Sequence, residues 1–432
     1  MSIPPPTVRR PPIIEIAVVL ALILVALMVG FVFYNRLSPS LSPSSPSPTA
    51  TPLNIDQLAQ EVSSIRQLPL QQPIVSEFQD EVQLKQRLEG EMADKFAQED
   101  LATSQQVLQF LGLVPADVKL ENLLLDLYGE QVLGYYDEQA KTLFVVERPN
   151  DSQALVRFTL AHEITHALED QSFDLGRFST PRFTGNDDQL SAATAMLEGD
   201  ASLSTAFYLK ANISLGSTLN LLFSALSQDN SKLENAPFYV KASLQFPYED
   251  GLRFAQTVYE TLGWAGLDQA FTVVPSSTEQ ILHPEKYLQG NDPPQDVEIP
   301  KQAELEGWTL VRDNVLGEFD FRTWFRTLLP EDEANRCAEG WGGCRYQLWQ
   351  RESKFVFLLN SVWDSTQDAE EANYGLEMFL KKRFGGAGSP FAGGSEYFGE
   401  GEMALLVPVR DFVQMIIAPD ADLAAALLRA LP

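Results

Sequence analysis

Two of the three histidines in this chain of 432 residues stand four positions apart with an acid beside the first: His162-Glu163-Ile164-Thr165-His166. The spacing calls for a helix, because a 3.6-residue period stacks side chains i and i+4 on one face, where two imidazoles can converge on one point. Scattering 3 histidines and 59 acids at random over 432 positions would produce such a pattern only about 0.003 times. Converging imidazoles make a ligand pair for one zinc ion, and Glu163 on the cleft side is placed to take a proton from water that the metal has acidified. The plainer alternative is a pair of core histidines on an amphipathic helix.

A catalytic zinc that keeps one position open needs a third protein ligand. The metzincin continuation would put Gly at 169 and His at 172, and the chain has Glu169 and Ser172 there, which rules that pattern out. A second helix is expected over roughly Asp188 to Lys210, and it carries Met196-Leu197-Glu198-Gly199-Asp200-Ala201. Its small residues Ala195, Gly199 and Ala201 suit close packing of two helices and argue against an exposed polar face. Glu198 in this helix resembles the gluzincin arrangement, in which a glutamate on a later helix is the third ligand. Ligating histidines usually donate their second ring N–H to a carboxylate or carbonyl, and Asp170 and Asp200 are the candidates for that role. The third histidine lies in Ser277-Thr278-Glu279-Gln280-Ile281-Leu282-His283-Pro284-Glu285-Lys286-Tyr287. His283 or Tyr287 could stabilise an oxyanion from across a cleft; a His-Pro turn capping a helix is the alternative.

Around the motif, Gln131 to Glu147 reads as a β-hairpin whose second strand, Leu143 to Val146, precedes the motif helix. That helix is expected to start near Asp151 or Ser152 and to run to about Gln171. Asn54 to Leu111 has helical spacing of apolar residues and reads as a helical lead-in. After about Pro300 the pattern changes to two rounds of strand, strand and helix: Arg345 to Trp349, Val356 to Val362 and Asp368 to Phe384, then Met403 to Val407, Phe412 to Ile417 and Asp422 to Leu431. The expected fold class is α+β, with a zincin-like unit over 54–300 and a C-terminal α+β domain over 301–432, whose two similar rounds hint at duplicated ββα units.

The N-terminal segment is of another kind. Ile16 to Phe33 is uncharged and almost wholly apolar, and with Ile13, Ile14 and Tyr34 it matches the roughly 20 residues of a spanning helix. Residues 1–36 are therefore expected to form a cytoplasmic tip and a transmembrane anchor embedded in the bilayer through 13–34. Arg9 and Arg10 on the near side place the rest of the chain outside the cytoplasm. A Ser- and Pro-rich spacer over 37–53 follows. The net charge of -28 would repel phosphate backbones, and no basic stripe offsets it, so nucleic acid is not an expected partner. Cys337 and Cys344 flank a glycine-rich turn that could bring their sulfurs together, which makes one local disulfide the expectation.

Taken with Glu198, His162 to His166 looks like a gluzincin-type zinc metallopeptidase. The longer pattern of HEITHALEDQ, LEGDA and STEQILHPEKY, over Leu133 to Tyr287, is similar to uncharacterised bacterial membrane-anchored HExxH proteins. The resemblance implies one Zn2+, peptide-bond hydrolysis with Glu163 as general base, and a protein or peptide substrate whose strand would pair with the edge of Leu143 to Val146. Two other readings remain open: a zinc-containing binding or assembly factor without turnover, and a cell-surface scaffold whose zinc is structural.

Overall fold

The structure is a computed structural model and describes residues 54–92, 95–131, 134–146, 153–178, 183–212, 231–290, 292–300 and 305–431. The expected cytoplasmic tip, anchor and spacer (1–53) and the expected helix caps Asp151 and Ser152 lie outside the described residues. Among those described, no helix is long and apolar enough to cross a membrane. The expected single-pass anchored topology, and the extracytoplasmic placement that followed from it, are thus not supported by the described residues. The physical reason lies in the long helices themselves. The two longest, Asp187–Asn212 and Phe238–Leu262, carry acids and bases along their length, Asp188, Glu198, Asp200 and Lys210 in one and Lys241, Asp250 and Arg253 in the other.

The N-terminal unit opens with α1 (Ile55–Arg66), whose first turn is capped by the Asn54 side chain accepting from the Gln57 N–H at 3.0 Å. Next come β1 (Val75–Gln79), α2 (Glu81–Met92), α3 (Lys95–Phe110), α4 (Leu120–Gln131), β2 (Gly134–Asp137) and β3 (Thr142–Val146). The lead-in thus contains a strand that helical periodicity hid. β1 pairs parallel with β3 from Val75↔Thr142 to Gln79↔Val146, yet Val75 and Phe78 are 57% and 54% exposed, so it lacks the inward apolar alternation that marks a strand. The sheet order is β1-β3-β2. β3 is therefore the interior strand, and its Leu143 to Val146 run, expected to offer an edge to substrate, is paired on both sides.

Helix α5 (Gln153–Phe173) carries the histidine motif and packs on β2, β3 and α1, burying Leu160, Ala161, Ile164 and Leu168 against Leu58, Val62 and Val145. α6 (Asp187–Asn212) crosses α5, and α7 (Phe238–Leu262) lies along α6. Two glycines set that last distance. A Cβ at Gly199 would fall 2.1 Å from Gly251 O, and one at Gly251 would fall 2.2 Å from Ala195 O, so the two backbones touch. α8 (Trp264–Ala270), α9 (Thr278–Leu282) and α10 (Pro284–Gln289) complete the unit.

The C-terminal unit runs β4 (Thr309–Asn314), α11 (Glu318–Arg326), α12 (Glu331–Ala338), β5 (Trp341–Arg351), β6 (Lys354–Trp363), α13 (Thr366–Phe384), β7 (Ser389–Phe391), β8 (Gly394–Phe398), β9 (Met403–Val409), β10 (Phe412–Ala418) and α14 (Ala421–Ala430). Its seven strands are antiparallel in the order β4-β5-β6-β10-β9-β8-β7. The expected strand, strand, helix rounds correspond to β5-β6-α13 and β9-β10-α14, and β6 and β10 pair at the centre. Side chains alternate strictly across this sheet. Phe357, Leu359, Met415 and Ile417 face α13, while Val356, Leu358, Ile416 and Ala418 face α14, which gives a helix-sheet-helix sandwich. The expected disulfide is not formed. Cys337 ends α12, Cys344 sits in β5, and both are buried free thiols, with burial pushing the Cys337 thiol up to about 11.

The α6–α7 contact leaves no room for a methyl group. Gly251→Ala should destabilise the fold by about 1–3 kcal/mol, the usual cost of overpacking, read as a lower denaturation midpoint in urea at unchanged m-value.

Candidate metal centre

α5 turns His162, Glu163 and His166 toward one point, and α6 delivers Glu198 to it. His162 Nε2 lies 3.0 Å from Glu198 Oε2 and 3.2 Å from His166 Nε2, and His166 Nε2 lies 3.5 Å from the same Glu198 oxygen. These three residues form a group that could hold a metal ion. A tetrahedral ion with bonds of about 2.0–2.1 Å spaces its ligand atoms about 3.3 Å apart, so the observed triangle has the dimensions of one tetrahedral face. The imidazoles meet edge to face at 87°, so their Nε2 atoms converge while the rings avoid each other. His162, Glu163 and Glu198 are buried, and His166 is partly open.

The ionisable groups of the pocket shift one another strongly. Burial alone would raise the Glu198 carboxyl, but the imidazoles of His166 and His162 outweigh it and hold the group at about 2. Burial would lower His166, yet Glu169 and Glu198 raise it well above the usual imidazole range. The Glu163 carboxyl is pushed up by burial, with the two histidines opposing and Glu198 adding to the rise. Its Oε2 accepts the Tyr136 N–H of β2 at 3.0 Å, which fixes the carboxylate beside the histidines.

The outer layer differs from the expected one. His166 Nδ1 lies 2.9 Å from Glu169 Oε2, so the carboxylate behind this ligand is its own i+3 neighbour. Asp200 stands one layer further back. Both its oxygens lie 2.8 Å from Arg66 Nε, and its carboxyl is pushed well up by burial, against the pull of Arg66 and with the help of Glu169. Arg66 itself is fully buried, bonded to Asp268 and laid over the Trp264 ring at 4.6 Å. Asp170 does not face a histidine. It accepts from the Tyr136 hydroxyl at 2.7 Å, from Lys141 and from the Leu175 N–H, and so fastens the β2-β3 hairpin to α5.

His283 and Tyr287 are engaged elsewhere. His283 Nε2 lies 2.9 Å from Glu318 Oε1, and the Tyr287 hydroxyl donates to Val273 O at 2.8 Å. The segment around them is a bracket between the two units. Asp188 accepts from the Thr278 N–H and hydroxyl, the Phe319 N–H reaches Thr278 Oγ1, and Lys286 bonds both Glu279 and Asp364. A second acidic group, Glu279, Asp292 and Asp364, already has the Lys286 ammonium at its centre, 2.6–2.9 Å from each. Sequence reasoning missed Glu169, whose i+3 spacing from His166 was available as a signal. It also missed Arg66 and Tyr248, a buried tyrosine of α7 whose ring centroid is 6.2 Å from that of His162. Neither is near the motif in the chain.

Residues 304–425, the C-terminal unit, match the family described as Domain of unknown function (DUF8575). No curated protein and no solved structure matches the chain. Fold and site together define a helical unit bearing a two-histidine, one-glutamate group that could hold a metal ion, joined to a unit that matches that family's model.

Glu169→Ala should weaken metal binding by roughly 10–100-fold, the usual effect of removing a ligand's outer partner, whereas Asp170→Ala should leave it unchanged; competition with a chromogenic chelator measures both. Equal effects would put the His166 anchor at the wrong carboxylate.

Proposed function

We propose that the chain is a zinc-dependent peptidase. The observation that carries this reading is the triangle of Nε2, Nε2 and Oε2 at 3.0–3.5 Å with a second carboxylate, Glu163, held beside it. His162, His166 and Glu198 would hold the ion. When bound, zinc supplies a Lewis acid that polarises a carbonyl and lowers the pKa of water toward neutrality. Everything else is asked of the protein's own groups. Glu163 accepts the proton of the attacking water and then returns it to the leaving amine. Its burial favours this cycle, because a desolvated carboxylate is a stronger base than an exposed one. The Tyr136 N–H orients that carboxylate without protonating it.

An extended peptide can add only to an outer edge of a sheet. With β3 interior, the edge facing Glu163 is that of β2, whose Tyr136 N–H points away from β3 and toward α5. Tyr248, whose ring centroid lies 6.2 Å from that of His162, is the phenol we assign to meet charge developing on a carbonyl oxygen, in the role expected of His283 or Tyr287.

Glu163→Gln should keep one zinc per chain by metal analysis and lower kcat on an unstructured protein substrate by about 10²–10⁴-fold. A variant that turns over at the parent rate would remove Glu163 from the mechanism.

A further inference from the structure

A cavity of about 340 Å³ lies between α3, α4, α6, α7 and the C-terminal unit, within the roughly 300–1,000 Å³ range of ligand pockets. None of His162, Glu163, His166 and Glu198 lines it, and its α6 wall ends at Thr194, one turn short of Glu198. α6 supplies one wall with Asp187, Leu190, Ser191 and Thr194, a stripe at helical spacing whose next member is Glu198. From Asp187 to Glu198 the stripe is about 16 Å long at 1.5 Å per residue. Two other elements join the cavity to the same place. Pro247 in its α7 wall precedes Tyr248, which packs on His162, and Glu138 at its margin follows Tyr136 and Asp137 in the hairpin that holds Glu163.

The opposite walls are apolar. Leu108 comes from α3 and Leu111 from the turn after it, Leu120 and Leu124 come from α4, and the far end is closed by Phe319 and Trp324 of the C-terminal unit. The charged lining residues are Asp100, Asp187, Asp320 and Glu138, with no lysine or arginine among them. Asp100 and Asp187 both bond Arg312, and Asp320 accepts from the Tyr239 hydroxyl. Such a lining favours apolar groups and rejects an anion, so a fatty-acid carboxylate or an acidic peptide would find no counter-charge there.

We propose that this cavity receives the apolar side chains of a polypeptide substrate, so that the centre cleaves next to stretches of Leu, Ile, Val or Phe free of acids. The inference rests on the peptidase reading above. An extended chain rises about 3.3 Å per residue, so the channel accommodates about five residues beyond the scissile bond. The C-terminal unit thereby gains a part in substrate choice, since α11 forms the end of the channel.

The test uses the full-length, zinc-loaded chain and three fluorogenic peptides: a short one spanning only the scissile bond, the same extended by five apolar residues, and an extension with two of the five replaced by aspartate. The apolar extension should raise kcat/KM at least tenfold over the short peptide, and the aspartate-bearing one should not. Ser104→Phe and Ser243→Phe, which place a ring in the cavity from α3 and α7, should abolish that gain and leave cleavage of the short peptide at the parent rate. Calorimetric binding of the two extended peptides to the Glu163→Gln chain decides the point without turnover or a cavity variant, and the apolar one should bind at least tenfold tighter. Equal binding of the two, or a gain that survives both phenylalanines, overturns the pocket assignment and leaves the metal site standing. No cleavage of any peptide by the parent chain overturns instead the peptidase reading beneath it.

Discussion

Glu198 reaches the histidine pair because α6 is clamped between two helices, and the closer clamp is a contact of backbone on backbone. Gly199 and Gly251 let α6 and α7 approach until a single added methyl group would strike a carbonyl oxygen. The residue beside Gly199 is the candidate third ligand, so the interhelical distance and the position of the Glu198 carboxylate are one quantity. Packed interiors do not deform continuously. A helix held off by even a methyl group would carry Glu198 away from the 3.0–3.5 Å triangle that makes the cluster a candidate metal site.

On its other side α6 is tied through charge. Arg66, Asp200, Glu169 and His166 form a buried series that begins at the end of α1 and finishes on a candidate ligand. Burying so many ionisable groups is costly unless each finds a partner, and a broken buried pair costs about 3–5 kcal/mol. The series therefore holds α1 and α6 in register more strictly than apolar packing alone, and it makes residues 54–66 an integral layer of the unit that carries the candidate metal site. Its position explains why a lead-in helix ends in an arginine with no exposed surface.

The motif helix, its partner helix and the two strand-strand-helix rounds of the C-terminal unit are legible in the sequence because their signals are periodic and local, whereas β4, β7 and β8 of the same sheet are not. His162, Glu163 and His166 share a face by spacing alone, and the small residues near Glu198 announce a close helix contact. What the sequence could not show depends on long-range pairing. β1 is hidden because its apolar side chains face outward, and once it pairs with β3 the strand that looked like an edge becomes interior. Asp170 and Asp200 lie near the ligands in the chain but are claimed by Tyr136, Lys141 and Arg66, partners from elsewhere in the fold. His283 was conspicuous as the last histidine, yet Glu318 of the C-terminal unit takes it.

That claim on His283 is part of a larger arrangement in which the C-terminal unit is fixed to the helical unit at the start of α6. Gly317 abuts Asp188 so closely that a Cβ there would lie 1.7 Å from its carboxylate oxygen, and Asp188 in turn holds Thr278. Burial raises Asp188 to about 7, with the Thr278 bonds opposing the rise, so the joint keeps a carboxyl where an apolar contact would be cheaper. Hydrogen bonds to a buried carboxyl are directional, and directionality is what an apolar contact cannot give. The end of α6 that bears the joint also begins the stripe leading to Glu198, so one helix connects the C-terminal unit to the candidate metal cluster. A domain that contributes none of the three candidate ligands can in this way set both the floor of the apolar cavity and the orientation of the helix that carries the third.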